Sequence, residues 1–247
     1  MPYTDTLVRA AEDTELRVER LNNELRDASA QTILRASLIR EWPEEITYVS
    51  SFGAESAAML ALIADVDPNL PVVFLETGMH FPQTLDYKAD LIERLGLTNV
   101  QDTPPNKTEE RIFDPKADLW RNDPDACCAL RKVRPLGPAL KGYKAWVTGR
   151  KRFHGGARLS LPVFEFVDGR FKVNPLANWT QDDIDLLFEH RNLPRHPLVA
   201  QGYPSIGCWP CTQPAEDPSD IRSGRWAGQE KSECGLHVEK TERPRVF

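Results

Sequence analysis

Three apolar runs of this chain each end at a glycine: ITYVSSFG (46–53), PVVFLETG (71–78) and KAWVTG (144–149). Helical patterns follow the first two. ESAAMLALIADV (55–66) carries the apolar run AAMLALIA, which fits a buried helix face, and PQTLDYKADLIERLG (82–96) opens at Pro82 and closes at Gly96. TNVQDTP (98–104) is a third, weaker strand. Strands that alternate with helices predict an α/β domain, a mainly parallel sheet flanked by helices. Ligands of such sheets bind outside the carboxyl ends of the strands, where Gly53, Gly78 and Gly149 fall.

The rest of the chain frames this unit. Residues 4–41 hold Leu7, Leu16, Leu21, Leu25, Ile33, Leu34 and Ile39 among charges, with no Gly or Pro. This predicts one long or two shorter amphipathic helices packed on the main domain. VFEFVDGRFKVNPL (163–176) predicts a hairpin turning at Asp168-Gly169, and TQDDIDLLFEHRNL (180–193) a helix capped by Thr180. Beyond Pro194 the chain is rich in Pro, Gly and charge, which predicts an irregular, mobile C-terminal tail.

Net charge is −6 over 247 residues, so nothing general favours nucleic acid. No apolar run approaches the ~18 residues of a membrane span, and the N-terminus lacks the pattern of a secretory signal. These features suit a cytoplasmic protein with neither a membrane nor a nucleic-acid partner.

Five cysteines fall into three groups: adjacent Cys127 and Cys128, the C-x-x-C of Cys208 and Cys211, and lone Cys234. An odd count argues against a disulfide framework and reads as four ligands plus one reactive thiol. Zinc and an iron–sulfur cluster both accept four cysteines, and spacing does not choose between them. Cys234 lies in KSECGLH (231–237), without apolar neighbours but beside a lysine, a glycine and a histidine. Such an accessible, electropositive setting favours a nucleophile. Arg150, Lys151, Arg152 and Arg158 follow the glycine at 149, and Arg222, Arg225 and Lys231 precede Cys234. SSFGAES (50–56) places backbone N–H groups at a helix start, a natural anion seat that is not a Walker motif.

Taken together, SSFGAES, LETGMHFPQT, CCALRKVRPL, AWVTGRKR, YPSIGCWPCT, SGRWAG and KSECGLH run in one order from about residue 46 to 237, and in that order the chain resembles the thioredoxin-dependent, iron–sulfur adenylyl-sulfate (APS) reductases. The resemblance implies an adenine-nucleotide α-hydrolase-like, PP-loop-related fold. It implies a nucleotide-binding domain over 1–205 and a segment over 206–247 that carries the C-x-x-C and the catalytic tail. A 4Fe-4S cluster would sit on Cys127, Cys128, Cys208 and Cys211. Cys234 would attack the sulfur of APS, AMP would leave, and thioredoxin would release sulfite from the resulting S-sulfocysteine. Ser51, Phe52, Gly53, Thr77, Gly78, Lys132, Gly149, Arg158, Arg222, Arg225 and His237 are the implied substrate-binding residues, with Lys132 between cluster and substrate. A homo-oligomer is compatible with the resemblance.

Two departures stand out: Ser56, where an acidic residue is common, and Phe153–His154, which replace a more polar pair. The rival readings are a PAPS reductase, which shares the fold but generally lacks the cluster cysteines, a PP-loop ATP pyrophosphatase or sulfurylase subunit, which would not need the tail, and a zinc-stabilised nucleotide-binding module without redox turnover.

Overall fold

Six strands form one sheet in the order β3-β2-β1-β4-β6-β5: β1 (Ile46–Ser50), β2 (Val72–Phe74), β3 (Val100–Asp102), β4 (Ala145–Val147), β5 (Phe164–Val167) and β6 (Arg170–Val173). The computed structural model describes residues 3–217, 220–228, 231 and 233–237, with side chains from Thr14 onward except at position 157. All neighbouring strands run parallel except the edge pair β5–β6, whose hairpin turns through left-handed Asp168 and Gly169 (φ 55° and 77°). Two successive positive φ angles match the twist of a tight hairpin. β1 pairs with β2 on one side, Tyr48 opposite Val72, and with β4 on the other, Thr47 opposite Trp146. The chain therefore reverses its direction of travel across the sheet between β1 and β4, which opens a crevice beyond their carboxyl ends.

Nine helices are present among the described residues: α1 (Tyr3–Leu25), α2 (Ala30–Arg35), α3 (Ser56–Ala64), α4 (Pro82–Leu95), α5 (Lys107–Phe113), α6 (Leu119–Asn122), α7 (Pro124–Cys128), α8 (Arg134–Ala139) and α9 (Gln181–His190). Every residue of α3 from Ala57 to Ile63 is buried, because α2, α4 and α9 cover the flanks that the sheet leaves open. α4 ends at left-handed Gly96 (φ 61°). Thr180 caps α9 in a reciprocal box: its hydroxyl accepts from Asp183 N–H, and Asp183 accepts from Thr180 N–H at 2.8 Å.

The N-terminal helical region forms two helices rather than one. Leu21, Leu25, Ile33 and Leu34 are buried, and the Asn22 amide both donates to Phe164 O (2.8 Å) and accepts from Phe164 N (3.0 Å), covering the exposed edge of β5. Leu16 and Ile39 remain on the surface. A π turn over Ala36–Glu41 shifts the helical phase and rotates Ile39 outward. Leu7 lies outside the described side chains.

Beyond α9 there are only short 3₁₀ turns among the described residues, Val199–Gln201 and Trp209–Cys211. The segment is stitched to the sheet. Leu198 and Ile206 pack on Ala54, and His80 and Cys208 form an antiparallel bridge. Trp209 N donates to Met79 O at 2.8 Å. No helix among the described residues is long and apolar enough to cross a membrane.

Candidate active site

The crevice beyond β1 and β4 holds a cavity of about 220 Å³. Its floor is the turn after β1. Phe52 takes a left-handed conformation (φ 47°), which sends its ring inward, edge-on to Phe74 at 5.5 Å. The backbone beside it is thereby turned toward the crevice. Gly53 is required by close approach: a Cβ there would sit 3.0 Å from Ile206 O.

Of the residues expected to bind substrate, Ser51, Gly53, Lys132, Gly149, Arg158, Arg222, Arg225 and His237 line this cavity together with Cys234. Phe52, Thr77 and Gly78 lie outside the lining. Phe52 belongs to the core. Thr77 turns away toward the cysteines, its hydroxyl 3.3 Å from Cys208 Sγ. Gly78 sits beside the Arg131 guanidinium.

The lining carries six cations, Lys132, Arg150, Lys151, Arg158, Arg222 and Arg225, against two carboxylates, Glu55 and Glu233. In a chain of net charge −6, this concentration defines an anion site. Glu55 is one of the residues that sequence reading passed over. It takes Lys151 Nζ at 2.6 Å and stands 3.2 Å from His154 Nε2. Burial raises its pKa, but His154 and Lys151 outweigh that and hold the carboxyl at about 2. His154 Nδ1 in turn accepts from Arg158 Nη1 at 3.2 Å, so the Phe153–His154 departure places an imidazole between the floor and the arginines. The other overlooked residue is Glu233, next to the tail cysteine, which binds Arg158 through both oxygens at 2.8 and 2.9 Å.

Lys132 and Arg225 form no carboxylate ion pair among the described residues. Burial disfavours the Lys132 charge, but negative charge on Cys208, Cys128 and Cys234 outweighs it and raises the pKa. The Arg225 guanidinium lies over Gly207, where a Cβ would come within 2.4 Å of Nη2. Arg225 also stacks on Trp226, 4.5 Å from the ring centroid. His237 stacks flat on Trp146 (5.5 Å, 9°), and burial followed by Arg150 holds its pKa well below the ordinary imidazole value.

A π turn over Ala129–Val133 interrupts the helical run between α7 and α8 and gives neighbouring cations opposite duties. Arg131 points away from the cavity to Glu110 (2.6 Å), Asp114 (2.7 Å) and Thr77 O (2.8 Å). Lys132 points into it.

All five cysteines are free thiols. Cys127, Cys128 and Cys208 are buried, and Cys211 is half-buried. Burial, followed by the charge of Cys128, pushes the Cys127 thiol up to about 12, with Cys208 and Cys211 adding to the shift. The four sulfurs thus share one electrostatic neighbourhood from which disulfides are absent, and burial likewise raises the Cys128 and Cys211 thiols. Among the described residues no three His, Cys, Asp or Glu side chains stand close enough to hold one metal ion. Four cysteine thiols are a donor set that zinc and an iron–sulfur cluster both accept.

The phosphoadenosine phosphosulfate reductase domain model matches residues 45–214, and the chain belongs to that family. Within it, the chain is similar to enzymes named adenosine 5′-phosphosulfate reductase. The protein of Mesorhizobium japonicum is 49% identical over 207 residues, covering 83% of this chain and 81% of that one. The protein of Mycolicibacterium smegmatis is 40% identical over 243 residues, covering 94% and 99%. Among solved structures, a phosphoadenylyl-sulfate reductase from Candida auris superposes with a TM-score of 0.68 at 29% identity, over 79% of this chain and 96% of that one. An FMN adenylyltransferase from Candida glabrata shares the fold alone (TM-score 0.54, 17% identity, 87% and 82% covered).

Proposed function

We propose that this chain reduces adenosine 5′-phosphosulfate to sulfite and AMP in assimilatory sulfate reduction, with Cys234 as nucleophile. The observation that carries the reading is the shared cavity: Cys234 faces it beside six cations and the glycine turn of β1. The sulfur of a phosphosulfate is screened by anionic oxygens, so cations must neutralise that charge before a thiolate can approach. Lys132 and Arg225, free of carboxylates, suit that task.

The step balances simply. The Cys234 thiolate bonds to the sulfur as the bond from sulfur to the bridging phosphate oxygen breaks, and AMP leaves with the electron pair. A reduced dithiol, for which thioredoxin is the candidate, then attacks Sγ of the S-sulfocysteine and expels sulfite. Its second thiol resolves the mixed disulfide and regenerates Cys234, so the dithiol supplies both electrons.

Cys127, Cys128, Cys208 and Cys211 would hold a 4Fe-4S cluster, which would supply a fixed, buried charge beside Lys132. This donor set also favours APS over its 3′-phosphorylated relative, because PAPS reductases generally lack it. The five free cysteines suit the reducing cytoplasm.

Protein purified without oxygen should absorb broadly in the visible and release sulfite from APS in the presence of reduced thioredoxin, with PAPS a poor substitute. A colourless protein that prefers PAPS, or one that yields no sulfite from either nucleotide, would overturn the reading.

A further inference from the structure

Arg158 is expected to bind the substrate anion, yet its guanidinium is already engaged. Nε and Nη2 donate to the two oxygens of Glu233 at 2.8 and 2.9 Å, and Nη1 donates to His154 Nδ1 at 3.2 Å. Both partners of the ion pair are largely shielded, with side-chain exposures of 12% and 21%. Parallel contacts of this kind are the strongest side-chain pairing a guanidinium makes. Arg222 approaches the same carboxylate from a second side at 3.6 Å.

The pair matters because of what it holds. Among the described residues, positions 231–237 make no main-chain hydrogen bond to the body. Their anchors are side chains: Lys231 on Asp125, Glu233 on Arg158, Leu236 in the Val73–Leu75–Trp146 cluster, and His237 on Trp146. Glu233 is the anchor immediately preceding Cys234 in the chain.

We propose that Arg158 is a positioning residue, and that its ion pair with Glu233 is a latch that seats the tail so that Cys234 faces the cavity. Charge neutralisation at the substrate then falls to Lys132 and Arg225. The inference rests on the reading of Cys234 as the nucleophile. Arg158 also donates to His154, whose Nε2 stands 3.2 Å from Glu55 on the cavity floor, so the latch lies beside the turn that begins α3.

Iodoacetamide labelling of Cys234, followed by peptide mass spectrometry on the cluster-loaded protein without nucleotide, tests the latch apart from any activity. Glu233→Gln and Arg158→Gln should each speed labelling roughly tenfold, the scale of a hydrogen bond to a charged group. The charge-swapped pair Arg158→Glu with Glu233→Arg should return the rate toward the wild type, which a general loss of structure would not do. Glu233→Gln lies on the tail and leaves the body unaltered, so it is informative even if the Arg158 variants fold poorly. Wild-type labelling of Glu233→Gln would overturn the proposal. So would single variants that label fast together with a swapped pair that labels equally fast. Neither result depends on the APS assay, so failure of the latch and failure of the proposed activity are read separately.

Discussion

Two sulfur-bearing walls face the same cavity and are held in different ways. The C-x-x-C wall is fixed by main chain. Cys208 bridges to His80, Trp209 donates to Met79 O, Trp226 donates to Cys211 O at 3.1 Å, and Thr212 bridges to Arg225. The tail wall is pinned by side chains alone among the described residues. Main-chain pairing within a packed loop opens only at the cost of several buried groups, whereas a few side-chain anchors release together at modest cost. The fixed wall suits a charge that must stay in place. The pinned wall suits the proposed nucleophile, which would meet first a nucleotide and then a protein dithiol.

The largest expected effect breaks the pinned wall chemically. Cys234→Ser should lower sulfite release by roughly 10³-fold or more, while nucleotide binding measured by calorimetry persists. On the fixed wall, Lys132→Ala should lower the rate of the sulfur-transfer step by roughly 10²-fold, the scale of a lost charge-stabilising group. A rate unchanged by that substitution would mean that the fixed wall does not act on the substrate through Lys132. Gly207→Ala sharpens the contrast further. Its methyl must displace the Arg225 guanidinium, the far end of a flexible side chain, so the fold should survive while KM for the nucleotide rises roughly tenfold. Steady-state kinetics alongside a melting curve separates those two effects.

The smallest effect concerns the support of the fixed wall. His196 is buried, accepts from Leu198 N at 3.2 Å and reaches Thr84 Oγ1 at 3.0 Å. Burial lowers its pKa to about 4. Because the folded value lies below the unfolded one, this contribution to stability is full above pH ~6.5 and is lost as pH falls through about 4. Melting temperature should therefore fall across that window, and His196→Gln should flatten the slope.

The sheet and its caps were legible because their signals are local. Asp168-Gly169, Thr180 and Gly96 each act within a few residues of themselves, and the structure uses each as its local chemistry dictates. The cavity was legible where glycines and arginines gather in short motifs. Its fine assignment was not. Phe52 reads as part of an anion turn, but one left-handed φ sends the ring into the core. The motif around Lys132 does not show that its neighbour Arg131 faces the other way, which the π turn decides. Glu55 and Glu233 looked like ordinary acids because their partners, Lys151 and Arg158, lie 96 and 75 residues away. The signal that points to them is electrostatic. A carboxylate beside the proposed nucleophile Cys234, in a chain rich in arginine near the same site, needs a cation of its own.

Everything proposed for this site turns on attack of Cys234 on the sulfur of APS. Intact-protein mass spectrometry tests it most directly, on protein isolated without oxygen and incubated with APS but without thioredoxin. A mass gain of one sulfite group is expected, mapped to Cys234 and removed by reduced thioredoxin. No adduct from protein with an intact cluster, or an adduct on another residue, would contradict it.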